Sequence, residues 1–162
     1  MKTQQPSTPI IISLFAIVLS LGLHSFNASA ADMKDTTHAA DSITIENPEV
    51  RSAAPGQMVT GAFMTLKNTS ATDIDLTTAH SDIASATEIH ESSMKDGMMQ
   101  MEKVDKITIP ANGSAELKPG GFHIMMMDLK TPLNSGEKTS ITLTFSDESQ
   151  KTVDATVVDV GD

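Results

Sequence analysis

The chain of 162 residues contains no cysteine, no tryptophan and no tyrosine. Without cysteine there is no disulfide framework, no thiolate zinc site, no iron–sulfur cluster and no blue-copper centre, each of which needs a sulfhydryl ligand or bridge. Aromatic residues are scarce: only Phe63, Phe122 and Phe145 follow residue 30, so a core must be filled with aliphatic side chains and methionine. Basic residues are few, 11 Lys and Arg against 21 Asp and Glu, for a net charge of −10. That balance argues against nucleic acid and anionic membrane surfaces as partners, and most of it reads as solvated surface charge. The longest apolar run, Pro9 to Leu23, falls short of the roughly 20 residues that a membrane-spanning helix requires.

That run has the layout of an export signal. Lys2 gives a positive start, the apolar stretch follows, and Asn27-Ala28-Ser29-Ala30 presents small residues in the A-x-A arrangement. Cleavage is expected between Ala30 and Ala31, which makes residues 1–30 a signal peptide. No cysteine follows the run, which excludes lipid attachment there. The remaining chain of about 132 residues has the size of one domain, and removal of Lys2 takes its net charge to −11. Residues 31–41 are polar and aperiodic and read as a flexible leader, in which Met33 and His38 are too isolated to be assigned a role. From residue 42 to 162, short alternating runs are separated by turn residues: 43–45, 62–66, 74–76, 86–90, 98–104, 107–109, 115–117, 122–129, 140–145 and 152–158. No long amphipathic helix and no repeat are visible. Many short strands at this spacing predict an all-β sandwich or barrel.

What the chain has in abundance is methionine. Seven of its eleven methionines lie between residues 94 and 127, together with His90 and His123. Thioether sulfur and imidazole together suit copper, above all Cu(I), and a thioether has no proton to lose. In the segment Phe122–Met127, strand alternation puts Phe122, Ile124 and Met126 on one face, sufficient for a core, and His123, Met125 and Met127 on the other. Met125 and Met127 are also credible as core filler in a chain this poor in aromatics. Asp96-Gly97 is a strong two-residue hairpin signal. Such a turn pairs Lys95 with Met98, Ser92 with Met101 and His90 with Lys103, which makes His90 and Met101 diagonal neighbours on one face. Met94 and Met99 share that face nearer the turn. Edge to edge, the hairpin and the 122–127 strand would form a pocket of two histidines and two methionines.

Met94, Met99 and Met127 are ambiguous, as reserve ligands or as an apolar rim. Met58, Met64, Met98 and Met126 are expected to be structural, and His80 a surface residue. Glu91, Asp96 and Glu102 could brace a ligating imidazole through its other nitrogen, but read better as surface charge. No cleft and no carboxylate pair point to acid–base catalysis, so no enzymatic activity is expected.

The spacing H-x10-M-x21-H-x-M, from His90 through Met101 and His123 to Met125, resembles the PCu(A)C family of periplasmic copper chaperones. The segments Thr87–Glu91, Asp96–Met101, Ile107–Pro110, Leu117–Met127, Ala62–Asn68 and Leu143–Phe145 resemble family segments as well, so that the likeness covers about residues 43–158. The resemblance implies a cupredoxin-like, Greek-key β-sandwich in the periplasm, with His90, Met101, His123 and Met125 as ligands to one exposed copper, mainly Cu(I) with Cu(II) possible. A monomer with no membrane attachment after signal cleavage is expected. It also implies delivery toward the binuclear copper centre of a haem–copper (cytochrome c) oxidase, to the oxidase copper-centre subunit or alongside a Sco-type thiol protein. The alternative is a periplasmic copper buffer or resistance protein without a dedicated oxidase acceptor. Phe63 and Phe122 stand where family members often carry tyrosine, and the chain ends at Asp162 without a His/Met-rich tail.

Overall fold

Ten short stretches of alternating polarity become ten β-strands in a computed structural model that describes residues 37–159. The export signal read over residues 1–30, its cleavage position and Met33 lie outside the described residues. The strands are β1 (Ile43–Arg51), β2 (Val59–Asn68), β3 (Ile74–His80), β4 (Ala84–Lys95), β5 (Met98–Lys103), β6 (Ile107–Ile109), β7 (Ser114–Leu117), β8 (Phe122–Leu129), β9 (Lys138–Phe145) and β10 (Gln150–Val158). One helical turn, α1 (Ala39–Ser42), precedes them. Each run expected from the sequence is present, most of them extended by a few residues. Among the described residues, no helix is long and apolar enough to cross a membrane.

The strands form one open sheet in the order β5-β4-β8-β7-β2-β1-β10-β9-β3-β6, with β8 also paired to β2. The sheet folds over so that β3 and β6 pack back toward β4 and β7, which makes the two layers of a cupredoxin-like sandwich. Between them lies an aliphatic core in which Phe145, Ile43, Leu66, Leu76, Ile124 and Met126 are fully buried. Burial alternates along the strands, as in β9, because successive side chains point to opposite faces. Pairing is antiparallel almost throughout. The exceptions are β1 with β10, which run parallel, and a single parallel pair between Leu117 and Phe122.

Two local features position the functional region. First, Asp96 and Gly97 both have positive φ, 54° and 77°, as a tight two-residue hairpin turn demands. The turn sets the register read from the sequence: Lys95 opposite Met98, Ser92 opposite Met101, His90 opposite Lys103. Second, β1 does not stop at Ile45. Its pairing with β2 slips between Glu46 and Glu49, where Asn47 takes φ 48° and Pro48 has no N–H to give to a ladder. The bulge lets the strand resume and run on to Arg51.

Two methionines expected to be structural are not. Met58 is 50% exposed and Met98 63% exposed. Met58 gives its carbonyl to the Leu129 amide while its side chain faces out. Met98 opens β5, an edge strand that packs substantially only against β4, so nothing covers it. Met64 and Met126 are buried as expected. Part of the leader is ordered: α1 is pinned by Asp147 Oδ2, which accepts from the Ala39 amide (2.8 Å), and by Ser149 Oγ, which accepts from Ala40 (2.9 Å).

Candidate metal centre

β4 lies between β5 and β8, and this order brings the sequence-predicted residues to one surface. His90 is paired directly with His123 across β4 and β8, and with Lys103 across β4 and β5. Residues opposite each other in a ladder share a face. Glu88, His90 and Ser92 of β4 therefore face the same way as Met99, Met101 and Lys103 of β5, and as His123 and Met125 of β8. The two imidazole rings stand 5.9 Å apart at 51°. His123 is 5% exposed, Met125 is half-buried and Met101 is 50% exposed. Met127 continues the stripe on β8, while Met94 and Met99 sit opposite each other near the turn, 67% and 66% exposed.

The hydrogen bonds at the rings assign their free nitrogens. His123 Nδ1 lies 3.1 Å from the carbonyl oxygen of Gly121. A carbonyl only accepts, so Nδ1 carries the hydrogen and the lone pair is at Nε2. His90 Nε2 lies 2.9 Å from Glu88 Oε2, and Lys103 Nζ donates to Glu88 Oε1 at 2.8 Å. The Lys103 hydrogen bond, followed by that from His90, holds the Glu88 carboxyl below the usual carboxylate range. Glu88 is thus an anion that accepts from Nε2–H, and the His90 lone pair is at Nδ1. Both free atoms, His90 Nδ1 and His123 Nε2, are buried without a hydrogen-bond partner. Buried polar atoms are rarely left so. Here two of them sit on neighbouring rings, each ring held through its opposite nitrogen in the manner of metal-binding histidines. The third such atom, Thr87 Oγ1, belongs to the opposite face of β4.

Beside the His123 ring is a cavity of about 540 Å³, lined by His123, Met99, Met101, Met125, Phe63 and Arg51 among others. The Phe63 ring packs 6.3 Å from the His123 ring. Gly61, opposite Met125 on β2, leaves the room for this: a Cβ there would approach Phe63 Cζ to 3.2 Å. Among the described residues no three His, Cys, Asp or Glu side chains converge as a metal-binding group. The donors that do converge are two imidazoles and a set of thioethers, which favour a soft monovalent ion over Ca²⁺, Mg²⁺ or a carboxylate-bound metal.

Glu88 was not singled out from the sequence as a brace. It stands two positions before His90 and hence on the same strand face, whereas Glu91, the residue considered, is one position away and faces outward opposite Glu102. Glu88→Gln keeps the shape and removes the anion. It is expected to weaken Cu(I) binding about tenfold, as loss of an outer carboxylate partner commonly does, measured by competition with a chromophoric Cu(I) chelator. Because the Glu88 carboxyl is held low, the wild-type brace persists at mildly acid pH and is lost only as pH falls through that lowered range.

Comparison with known proteins places the chain. The family model described as "Putative lipoprotein LpqE-like" matches residues 43–157. A relative described as "Putative lipoprotein" from Leifsonia xyli subsp. xyli is 39% identical over 121 residues, 74% of this chain and 72% of the relative. Among solved structures, Cu(I)-bound DR1885 from Deinococcus radiodurans is similar at TM-score 0.60 and 34% identity, over 79% of this chain and 85% of that one. A copper-bound PCuAC domain from PmoF2 shares the fold at TM-score 0.64 and 23% identity, over 76% of this chain and 97% of that domain. With the family match running from the first residue of β1 almost to the end of β10, the chain belongs to the LpqE-like family, of PCuAC type.

Proposed function

We propose that the protein is an exported copper carrier. It holds one Cu(I) ion between His90 Nδ1, His123 Nε2 and the thioethers of Met101 and Met125. The observation that carries this reading is the pair of buried, unpartnered ring nitrogens on adjacent strands, flanked by methionines on the same face. Kinship with DR1885, solved with Cu(I), supports copper as the ion. Four neutral donors hold a monovalent cation without burying a compensating anion. Buried His123 and partly buried His90 anchor the ion, and half-exposed Met101 is the donor an incoming ligand can replace. A carrier needs that combination of grip and access.

The reading has two levels, tested separately. At the level of the site, titration of the apo protein with Cu(I) against a chromophoric chelator is expected to show one ion per chain. No uptake above that of a His123→Ala variant would contradict it. At the level of the cell, the acceptor is the binuclear copper centre of a haem–copper oxidase, reached directly or with a Sco-type thiol protein. A deletion strain is then expected to lose oxidase activity at low copper and recover it when copper is added. Copper sensitivity with intact oxidase activity would instead make the protein a buffer.

A further inference from the structure

We propose that Arg51 is an anion-recognition residue beside the copper site. The cavity it lines receives a small, negatively charged Cu(I) complex, a thiolate that also carries carboxylates, from which the protein takes its ion. The proposal rests on the copper reading above and extends it to the form in which the ion arrives.

Arg51 is the only arginine in a chain of net charge −10. Among the described residues there are six ion pairs, and Arg51 is in none of them. Glu49, two positions earlier on the same face of β1, is exposed and does not pair with it. Its backbone carbonyl accepts from Thr60 Oγ1 at 2.7 Å. The guanidinium lies instead over the Phe63 ring, with Cζ 5.2 Å from the ring centre. Phe63 in turn packs against His123. Arg51, Phe63 and His123 thus stand in a row along one wall of the cavity, and among the described residues the guanidinium N–H groups have no hydrogen-bond or ion-pair partner. A guanidinium presents five N–H donors in a rigid fork that matches a carboxylate.

An acidic protein repels an anionic copper complex at long range, and a local cation beside the site is the means to admit one. A cavity of about 540 Å³ is in the size range that small ligands occupy, which favours a peptide-sized thiol over a folded domain. The transfer is ligand exchange without redox change. A bond forms from Met101 or Met125 sulfur, then from the imidazole nitrogens, to Cu(I) as Cu(I)–thiolate bonds break. Copper remains Cu(I), and the thiolate leaves with its electron pair.

The test compares two donors that share one thiol: Cu(I)–glutathione, and Cu(I) bound to glutathione diethyl ester, in which both carboxylates are blocked. With neither tryptophan nor tyrosine in the chain, loss of Cu(I)–thiolate ultraviolet absorption on mixing with apo protein reports the transfer rate. Arg51→Gln is expected to slow transfer from Cu(I)–glutathione about tenfold and from the ester less than about twofold, the scale of local electrostatic steering. Arg51→Lys is expected to keep most of the preference. Lys138→Gln, the same charge change at an exposed site on β9, is expected to leave both rates within about twofold. The ratio of the two rates within one variant does not depend on how much of that variant is folded. Equal slowing with both donors, no slowing with either, or an effect of Lys138→Gln matching that of Arg51→Gln would overturn the proposal. A wild-type chain that takes Cu(I) from neither donor would refute the copper reading itself.

Discussion

Met101→Ala and Met125→Ala are each expected to lower Cu(I) affinity by more than about a hundredfold, beyond what loss of an outer brace alone costs. Cu(II) affinity is expected to change far less. The asymmetry follows from softness: thioether sulfur stabilises Cu(I) strongly, whereas Cu(II) is served by the two imidazoles and water. Met101 gives the cleaner experiment. It sits on edge strand β5, 50% exposed, so its truncation opens no cavity and the apo variant should melt where wild type does. Affinities for the two oxidation states, measured by competition with chelators specific for each, decide the point. Equal losses for both would remove sulfur from the site.

Met126→Ala should do the reverse. Met126 is the neighbour of Met125 in sequence, and β8 turns it to the other face, where it is fully buried against Ile124 and the rest of the core. Truncating a buried methionine costs about 2–5 kcal/mol, through lost transfer energy and the void left behind. The urea midpoint should fall accordingly at unchanged m-value. Cu(I) affinity of the folded protein should stay near that of wild type, since the face of β8 proposed to hold copper is untouched. Two adjacent methionines would then differ completely, one essential to the ion and the other to the fold. A Met126→Ala variant as stable as wild type, or one that loses copper as Met125→Ala does, would contradict the assignment of faces.

The parts of this architecture legible in the sequence are those set by local rules. Asp96-Gly97 dictates a tight turn, and the turn dictates which residues of β4 and β5 face each other, so Ser92 opposite Met101 follows from a dipeptide. Alternation along Phe122–Met127 separates Met126 from His123 and Met125 for the same reason. What escaped is non-local or interrupted. The parallel pairing of β1 with β10 joins the two ends of the domain and leaves no mark in either segment. Pro48 hides the continuation of β1, because the bulge that absorbs it is a property of the β1–β2 pair and not of the run itself. Arg51 therefore falls between the expected runs 43–45 and 62–66, and in the structure it stands on the sheet beside His123's neighbour Phe63. The exposure of Met98 was also hidden, since patterning tells which face a side chain takes but not whether a second layer covers that face. Glu88 is legible by the same strand period that sorts the methionines, since two residues before His90 it shares that residue's face.

Whether two rings and two thioethers hold the ion is decided by X-ray absorption at the copper K edge on protein loaded with one equivalent of Cu(I). A shell of two imidazole nitrogens and two thioether sulfurs is expected, with one sulfur lost in Met101→Ala and one in Met125→Ala. A shell of nitrogen and oxygen alone, or sulfur retained in full in both variants, would contradict it.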